Sequence, residues 1–315
     1  MTPASKRPVV VTGSVALDTV KTAKGRCKDV LGGSAVYFSM ACRFFHPVQL
    51  IGAVGADFPG SMKKLLAGCE IDLTGLEELP GKTFRWSGEF GPDLQNPQTL
   101  STALNVIEHF RPKLKPAHKN PSVAFLANID PELQWEVLSQ LEKADLVACD
   151  TMNFWINQKK PAIKELLAHI DIFFLNDSEA KQLTGKANLL EAARTVKTWG
   201  PRIVAVKKGE HGSLILAQDN FYAYPAYPTE SVVDPTGAGD SFAGGFLGYL
   251  ASHGCDIEDP VLLKRALLHG SVMASFTVES FSTERLESLK PAEIHKRYHQ
   301  YLEMMAVDLI PAFAR

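Results

Sequence analysis

The chain has 315 residues, long enough for one large α/β domain, or for a large domain carrying a small appendage. Hydrophobic residues make up 45% and charged residues 22%, the balance of a soluble globule, so disorder is not indicated. A formal charge of −2 and a pI near 6.5 supply no basic field for nucleic acid or an anionic membrane, and no stretch approaches the roughly 18 apolar residues of a membrane span; a small molecule is the expected partner.

The five cysteines, Cys27, Cys42, Cys69, Cys149 and Cys255, are scattered and lack CxxC spacing. Neither a zinc site nor a disulfide framework is suggested, and reduced thiols in a cytoplasmic protein are expected. The histidines His46, His109, His118, His169, His253, His295 and His299 show no metal-ligand pairing and read as surface or packing residues.

The first apolar run, Val9-Val10-Val11 within Pro8 to Thr12, is too brief for a signal peptide and reads as a strand. Asp18 follows it in Gly13-Ser14-Val15-Ala16-Leu17-Asp18. A carboxylate there can accept two hydrogen bonds from a diol, although a lone Asp after a strand is commonly only a turn residue. Gly32 and Gly33 precede a helical run from Ala35 to Phe45; adjacent glycines either admit a substrate close to the backbone or simply make a tight turn. Val48 to Ile51 reads as the next strand. Ile51-Gly52-Ala53-Val54-Gly55-Ala56-Asp57-Phe58-Pro59-Gly60 reads as mainly structural, followed by a helix from Ser61 to Ala67.

From Leu79 to about Phe110 the helical pattern lapses. Alternation around Thr83 to Phe90 predicts extended strands forming a small flap, together with residues from about 16 to 30. Phe84, Trp86 and Phe90 can stack on a planar base or fill the flap's own core. Pro112, Pro116 and Pro121 mark the return to alternating elements. Strands are predicted at Val123 to Ala127, Leu146 to Cys149, Ile172 to Leu175 and Ile203 to Val206, and helices at Glu132 to Glu142, Pro161 to His169, Ser178 to Thr184 and Leu189 to Trp199. Such alternation implies a parallel sheet covered on both faces by helices, with ligands at the carboxyl ends of the strands.

Lys207-Lys208-Gly209-Glu210-His211-Gly212 makes a glycine turn from which one lysine can reach phosphate or remain solvated. The most telling segment is Val233-Asp234-Pro235-Thr236-Gly237-Ala238-Gly239-Asp240-Ser241-Phe242. Its glycines let successive N–H groups turn toward one concave point, and a predicted helix from Ser241 to Ser252 offers its N-terminal N–H groups to an anion. Asp240 at the lip of that seat would repel phosphate unless it faced something else, such as the proton of an attacking hydroxyl; it is equally a candidate N-cap. Phe242, Phe246 and Tyr249 read as core, and Gly244, Gly245 and Gly248 as a small patch packing tightly on the sheet. A further helix is predicted from Leu262 to Phe276.

The string DPTGAGDSFAGGF resembles the second signature of the ribokinase-like, or PfkB, family of carbohydrate and nucleoside kinases, with Pro235 where Thr is usual. Leu31 to Tyr37 is similar to the first signature, with Tyr37 where Asn is common, and Asn176-Asp177-Ser178-Glu179 resembles the family's NxxE motif. No GxxxxGK[ST] loop and no GxGxxG after a strand compete with this reading.

The resemblance implies a single kinase domain over 1–315. Its fold would be a three-layer α/β/α arrangement around a mostly parallel sheet, with a small β-sheet lid from about 16–30 and 79–110. It implies transfer of the γ-phosphoryl group of ATP, with Mg²⁺, to a hydroxyl of a sugar or related polyol. A nucleoside kinase is the second reading, and a non-catalytic nucleotide or sugar sensor the third. Asp240 would be the base, with the N–H groups of Gly237, Ala238 and Gly239 around the phosphoryl group. Asp18, Gly32, Gly33 and Asp240 would hold the acceptor. Asn176, Lys208, Gly209, Thr236, Gly237, Gly239 and Ser271 would line the nucleotide. Glu179 would hold the hydration shell of Mg²⁺, although Asn176 or Asp177 as cap and Glu179 in a first helical turn is a plain alternative. The lid is also a candidate homodimer interface.

Overall fold

The structure, a computed structural model, describes residues 7–94 and 97–306. The parts of the expected domain at 1–6 and 307–315, and the lid positions 95 and 96, lie outside the described residues. In chain order the elements are β1 (Val9–Thr12), β2 (Ala16–Thr22), β3 (Gly25–Gly32), α1 (Ser34–Cys42), β4 (Val48–Gly55), α2 (Gly60–Gly68), β5 (Ile71–Leu79), β6 (Phe84–Glu89) and β7 (Gln98–Ala103). They continue as β8 (Val123–Leu126), α3 (Pro131–Leu138), β9 (Leu146–Asp150), α4 (Asn153–Leu167), β10 (Ile172–Asn176), α5 (Asp177–Thr184), α6 (Leu189–Lys197), β11 (Ile203–Lys207), β12 (Ser213–Ala217) and β13 (Asn220–Tyr224). The helices α7 (Ala238–Ser252), α8 (Pro260–Thr277), α9 (Glu284–Ser288) and α10 (Pro291–Met305) follow.

Nine strands form one sheet in the order β13-β12-β11-β10-β9-β8-β1-β4-β5, in which the β11–β12 and β12–β13 pairs are antiparallel and the others parallel. Strand side chains alternate between faces, so Val9, Val11, Phe125 and Phe174 pack with α1, α7 and α8, while Val10, Leu126, Phe173 and Leu175 pack with α3 to α6. Burial on both faces is why these strands are almost continuously apolar. From β1 the chain runs outward to β4 and β5, then returns to β8 on the other side. That reversal opens a crevice beyond the carboxyl ends of β1 and β8.

The second sheet, β3-β2-β6-β7, is built from the two stretches expected to form the flap. The Ile51 to Gly60 segment has the structural role expected of it, because it anchors this sheet to the large one. Asp57 accepts from the Thr83 N–H and hydroxyl at 2.7 Å each and pairs with Arg85 at 2.8 Å, while the Gly55 N–H donates to the Thr83 hydroxyl at 3.0 Å.

Some expectations change. Helix α7 starts at Ala238 rather than Ser241, with Gly237 at φ 75° as its cap residue, so Asp240 lies inside the first turn and does not cap it. The glycines of α7 pack on neighbouring helices and not on the sheet: a Cβ at Gly244 would lie 2.5 Å from the Phe38 carbonyl of α1, and one at Gly245 2.6 Å from the His269 carbonyl of α8. The helix expected from Pro161 extends back to Asn153 through a non-helical Lys159, two residues before the proline. Strands β5, β12 and β13 and helices α9 and α10 were not legible as such. Among the described residues no helix is long and apolar enough to cross a membrane.

Candidate active site

The glycine segment is fastened from two sides. The Thr22 hydroxyl of β2 donates to the Val233 carbonyl at 2.9 Å, and the Val233 N–H donates to the Val278 carbonyl beyond α8 at 2.7 Å. Asp234 accepts from the Thr236 N–H at 2.9 Å, tightening the turn before the helix. Each loop glycine answers to a different neighbour. A Cβ on Gly237 would lie 2.2 Å from the Tyr37 ring, and one on Gly239 would lie 3.0 Å from Lys207 Nζ.

First-turn N–H groups of a helix have no partner four residues back. Here Ala238 donates to Pro235 at 3.2 Å, and Ser241 is the first to bond in helical register, to Gly237 at 2.9 Å. The Gly239 N–H therefore faces outward from the helix start, while the Asp240 N–H meets its own carboxylate. Two buried hydroxyl oxygens beside them, Thr236 Oγ1 and Ser241 Oγ, have no hydrogen-bond partner. Buried polar groups left unpaired are costly, and the oxygens of an anion would satisfy them.

Across from this turn, Asp18 of β2 is 4% exposed. Its carboxylate receives the Gly33 N–H, and a Cβ on Gly32 would fall 1.9 Å from its Oδ2. Gly33 stands at φ 99°, where its own Cβ would lie 2.4 Å from the Ser14 carbonyl. The paired glycines thus make the turn into α1 and also make room for the carboxylate.

Between Asp18 and Asp240 lies a cavity of about 170 Å³ at the crevice beyond β1 and β8. Its walls include Tyr37 from α1, Phe84 and Trp86 from β6, and Phe154 and Trp155 from α4; among the described residues no lysine, arginine or histidine lines it. Phe90, expected with the other two aromatics, is buried outside it. Asn128, just past β8, also lines it; its Nδ2 donates to Met152 Sδ at 3.1 Å, and its Oδ1 has no partner. An adjoining cleft of about 470 Å³ shares Thr102, Leu104 and Phe154 with this cavity.

The site's charges are concentrated and strained by burial. Burial pushes Asp18 up to about 7, aided by the charges of Asp234 and Asp240 and opposed by the Gly33 N–H. Burial likewise pushes Asp240 up to about 7, with Asp150 adding to the rise and Lys207 opposing it. Glu179, 7% exposed, is raised to about 7 by burial against the pull of Lys207. For Lys207, burial disfavours the charge, but Asp150, Glu179 and Asp240 outweigh it and hold the ammonium above the ordinary lysine range. Its Nζ lies 2.5 Å from Asp150 Oδ2, an ion pair within the site.

Asn176 and Glu179 form a reciprocal cap: Asn176 Oδ1 accepts from the Glu179 N–H, and Glu179 Oε2 accepts from the Asn176 N–H, at 2.7 Å each. Glu179 lies near enough to feel Lys207 and Asp240. Lys208, by contrast, only closes the next turn, its N–H donating to Gly212 at 2.8 Å, and Gly209 at φ 54° stands in open space beside it. Lys207, one residue earlier, is the lysine under the glycine loop. Ser271 lies in α8, buried, with its hydroxyl donating to the Leu267 carbonyl at 3.2 Å, and is not part of the cavity.

Lys207 and Asp150 were missed, although the strand period contains the signal. Ile203 and Ala205 of β11, and Leu146 and Ala148 of β9, face α7. Continuing by two places Lys207 and Asp150 on that same face, at the carboxyl ends where ligands bind.

Comparison with known proteins agrees with this geometry. A cytidine kinase of Thermococcus kodakarensis is 32% identical over 264 residues, covering 81% of this chain and 92% of that protein. The structure of a Burkholderia thailandensis nucleoside kinase in complex with inosine superposes with a TM-score of 0.75 at 19% identity, covering 94% of this chain and 99% of that one. Arabidopsis thaliana ribokinase complexed with ribose and ATP gives 0.75 at 19% identity, covering 93% and 99%. The family model for the pfkB family carbohydrate kinases matches residues 9–288. With its glycine turn, ribokinase-like sheet and near full-length match, the chain belongs to the PfkB family of kinases.

Proposed function

We propose that this PfkB kinase phosphorylates a nucleoside, with ATP as donor, in place of the free sugar or polyol that its motifs alone suggested. The observation that carries this reading is the chemistry of the acceptor cavity. Its polar end is the Asp18 and Asp240 pair, and its walls are the rings of Phe84, Trp86, Phe154 and Trp155. Carboxylates suit a vicinal diol and a reacting hydroxyl, whereas flat rings suit a planar base. A free sugar leaves most of these aromatic walls unfilled, and a phosphorylated acceptor would meet two carboxylates and no cation among the described lining residues. The likeness to a cytidine kinase supports the same choice.

In this mechanism Asp18 accepts hydrogen bonds from ribose hydroxyls and fixes the ring. Asp240, in its ionised form, takes the proton of the attacking hydroxyl as that oxygen bonds to the γ-phosphorus and the bond from the γ-phosphorus to the β,γ-bridging oxygen breaks, its electron pair leaving with ADP. The N–H of Gly239 donates to the oxygens of the transferring group, with the hydroxyls of Thr236 and Ser241 on the same turn. Mg²⁺ bound with the nucleotide supplies charge neutralisation on the donor phosphates. Glu179 would hold it through water, since its Oε2 is committed to the cap and only its second oxygen remains. No group of three or more His, Cys, Asp or Glu among the described residues could cage a metal, which suits an ion that keeps most of its waters.

The test is ADP release with ATP and Mg²⁺ against cytidine, adenosine, inosine, ribose and fructose. At least one nucleoside should be turned over with a kcat/KM of order 10²-fold or more above ribose, the discrimination expected when a paired binding surface is left empty. Equal or better turnover of a free sugar would overturn the reading.

A further inference from the structure

Among the described residues Lys207 is the one basic group among the site's carboxylates, and its placement is specific. It ends β11 and its Nζ reaches Asp150 at the end of β9, so its side chain crosses the carboxyl end of the intervening strand β10. The pair is sequestered, the Asp150 side chain being 3% exposed and that of Lys207 17%. The glycine loop rests on the lysine stem: a Cβ on Gly239 would meet Nζ at 3.0 Å, Cδ at 3.4 Å and Cε at 3.5 Å. Three carboxylates from three elements, Asp150 of β9, Glu179 of α5 and Asp240 of α7, bear on this one ammonium.

We propose that Lys207, fixed by Asp150 beneath the glycine loop, is a positioning residue for phosphoryl transfer: its fixed charge keeps Asp240 in the proton-accepting form and its stem sets the height of the loop. The proposal rests on the kinase reading above. Without the ammonium, three neighbouring carboxylates, the buried Asp150 and Glu179 and the half-buried Asp240, would be left with no countercharge, and the favoured response of such a group is to take up a proton. A protonated Asp240 cannot accept the proton of the acceptor hydroxyl. The charged groups facing Asp240 are Asp150, Lys207 and Glu179 on the donor side and Asp18 across the acceptor cavity.

The two members of the pair carry opposite charges beside Asp240, so removing each should shift the activity profile in opposite directions, a readout that lost packing alone does not give. Asp150 raises Asp240 and Lys207 lowers it. The experiment is the pH profile of kcat/KM for the acceptor at saturating ATP, in wild type, Lys207→Met, Lys207→Arg and Asp150→Asn. Activity rises through the ionisation of the base. Removing the ammonium should therefore move the acid limb of Lys207→Met to higher pH by about one unit or more, a typical effect of one nearby opposite charge. Lys207→Arg should restore the limb most of the way. Asp150→Asn should move it to lower pH, because a negative neighbour is lost while the ammonium turns to the remaining carboxylates.

Unmoved limbs with turnover lowered evenly at every pH would overturn the proposal, as would a higher KM for ATP with kcat intact, which marks simple donor binding. If Lys207→Met does not fold, Lys207→Arg and Asp150→Asn decide, and a limb that stays put in Asp150→Asn counts against it. Wild-type turnover with an unmoved limb sinks this inference alone, whereas no acceptor-dependent ADP release in wild type sinks the kinase reading beneath it.

Discussion

Asp240 occupies the third position of a helix whose cap is a left-handed glycine, so its carboxylate does not serve as the cap and meets only its own backbone N–H. Freed of capping, it faces the acceptor cavity together with Asp18. Replacing it with Asn keeps the shape and removes the proton acceptor. In Asp240→Asn, kcat should fall by about 10² to 10⁴, while the affinity for nucleotide measured by calorimetry stays within a few-fold. Turnover near the wild-type level would remove Asp240 from the role of base. Glu179 closes the cap with one carboxylate oxygen, and it is the other that is proposed to hold an ion's water.

At the scale of elements, α7 is shaped by close approach more than by helix propensity. Glycine in a helix interior costs about 1 kcal/mol relative to alanine, yet Gly244 sits where a methyl group would lie 2.5 Å from the Phe38 carbonyl and 2.8 Å from the Ala41 methyl. Gly244→Ala should therefore lower stability, by about 1–3 kcal/mol for an overpacked contact, even though propensity alone predicts a gain; a denaturant midpoint distinguishes the two. Closeness of α7 to α1 matters to the site because α1 carries Tyr37, on whose ring Gly237 rests. The small sheet is likewise positioned by a few bonds, those of Asp57 to Thr83 and Arg85, where Thr83 and Arg85 outweigh burial and hold Asp57 down to about 2.

For the whole molecule, three carboxyls raised to about 7, the buried Asp18 and Glu179 and the half-buried Asp240, have a consequence for stability. Asp18, Glu179 and Asp240 bind protons more tightly when folded than when unfolded, so between about pH 4 and pH 7 the native state holds more protons. Their contribution is fully present below the unfolded values and is lost as pH rises through the folded ones. Asp57 works in the opposite sense as pH falls from its ordinary value toward 2, and His269, held down to about 4 by burial, opposes the carboxyls below its ordinary value of 6.5, one group against three. The ligand-free protein should accordingly melt at a higher temperature at pH 5.5 than at pH 8. Asp240→Asn should flatten part of that slope, and a melting temperature independent of pH across this range, or higher at pH 8, would contradict the assignment.

The sequence by itself determined the glycine turn, its aspartate, the buried parallel strands and the two stretches of the small sheet. These are local facts: glycine's backbone freedom, the order of residues around Asp240, and runs of apolar residues with few alternatives. Edge elements such as β5 and β13, only partly buried, carry weaker patterns and were not legible. Tertiary structure alone decided what lies beneath and across from the turn. It set Lys207 under the glycine loop, because strand alternation points successive side chains to opposite faces. It joined Lys207 to Asp150, 57 positions apart, across an intervening strand. It also set Phe154 and Trp155 of α4 beside Phe84 and Trp86 of the small sheet to wall one cavity. Such long-range meetings follow from the order of strands in a sheet, which no short window of sequence encodes.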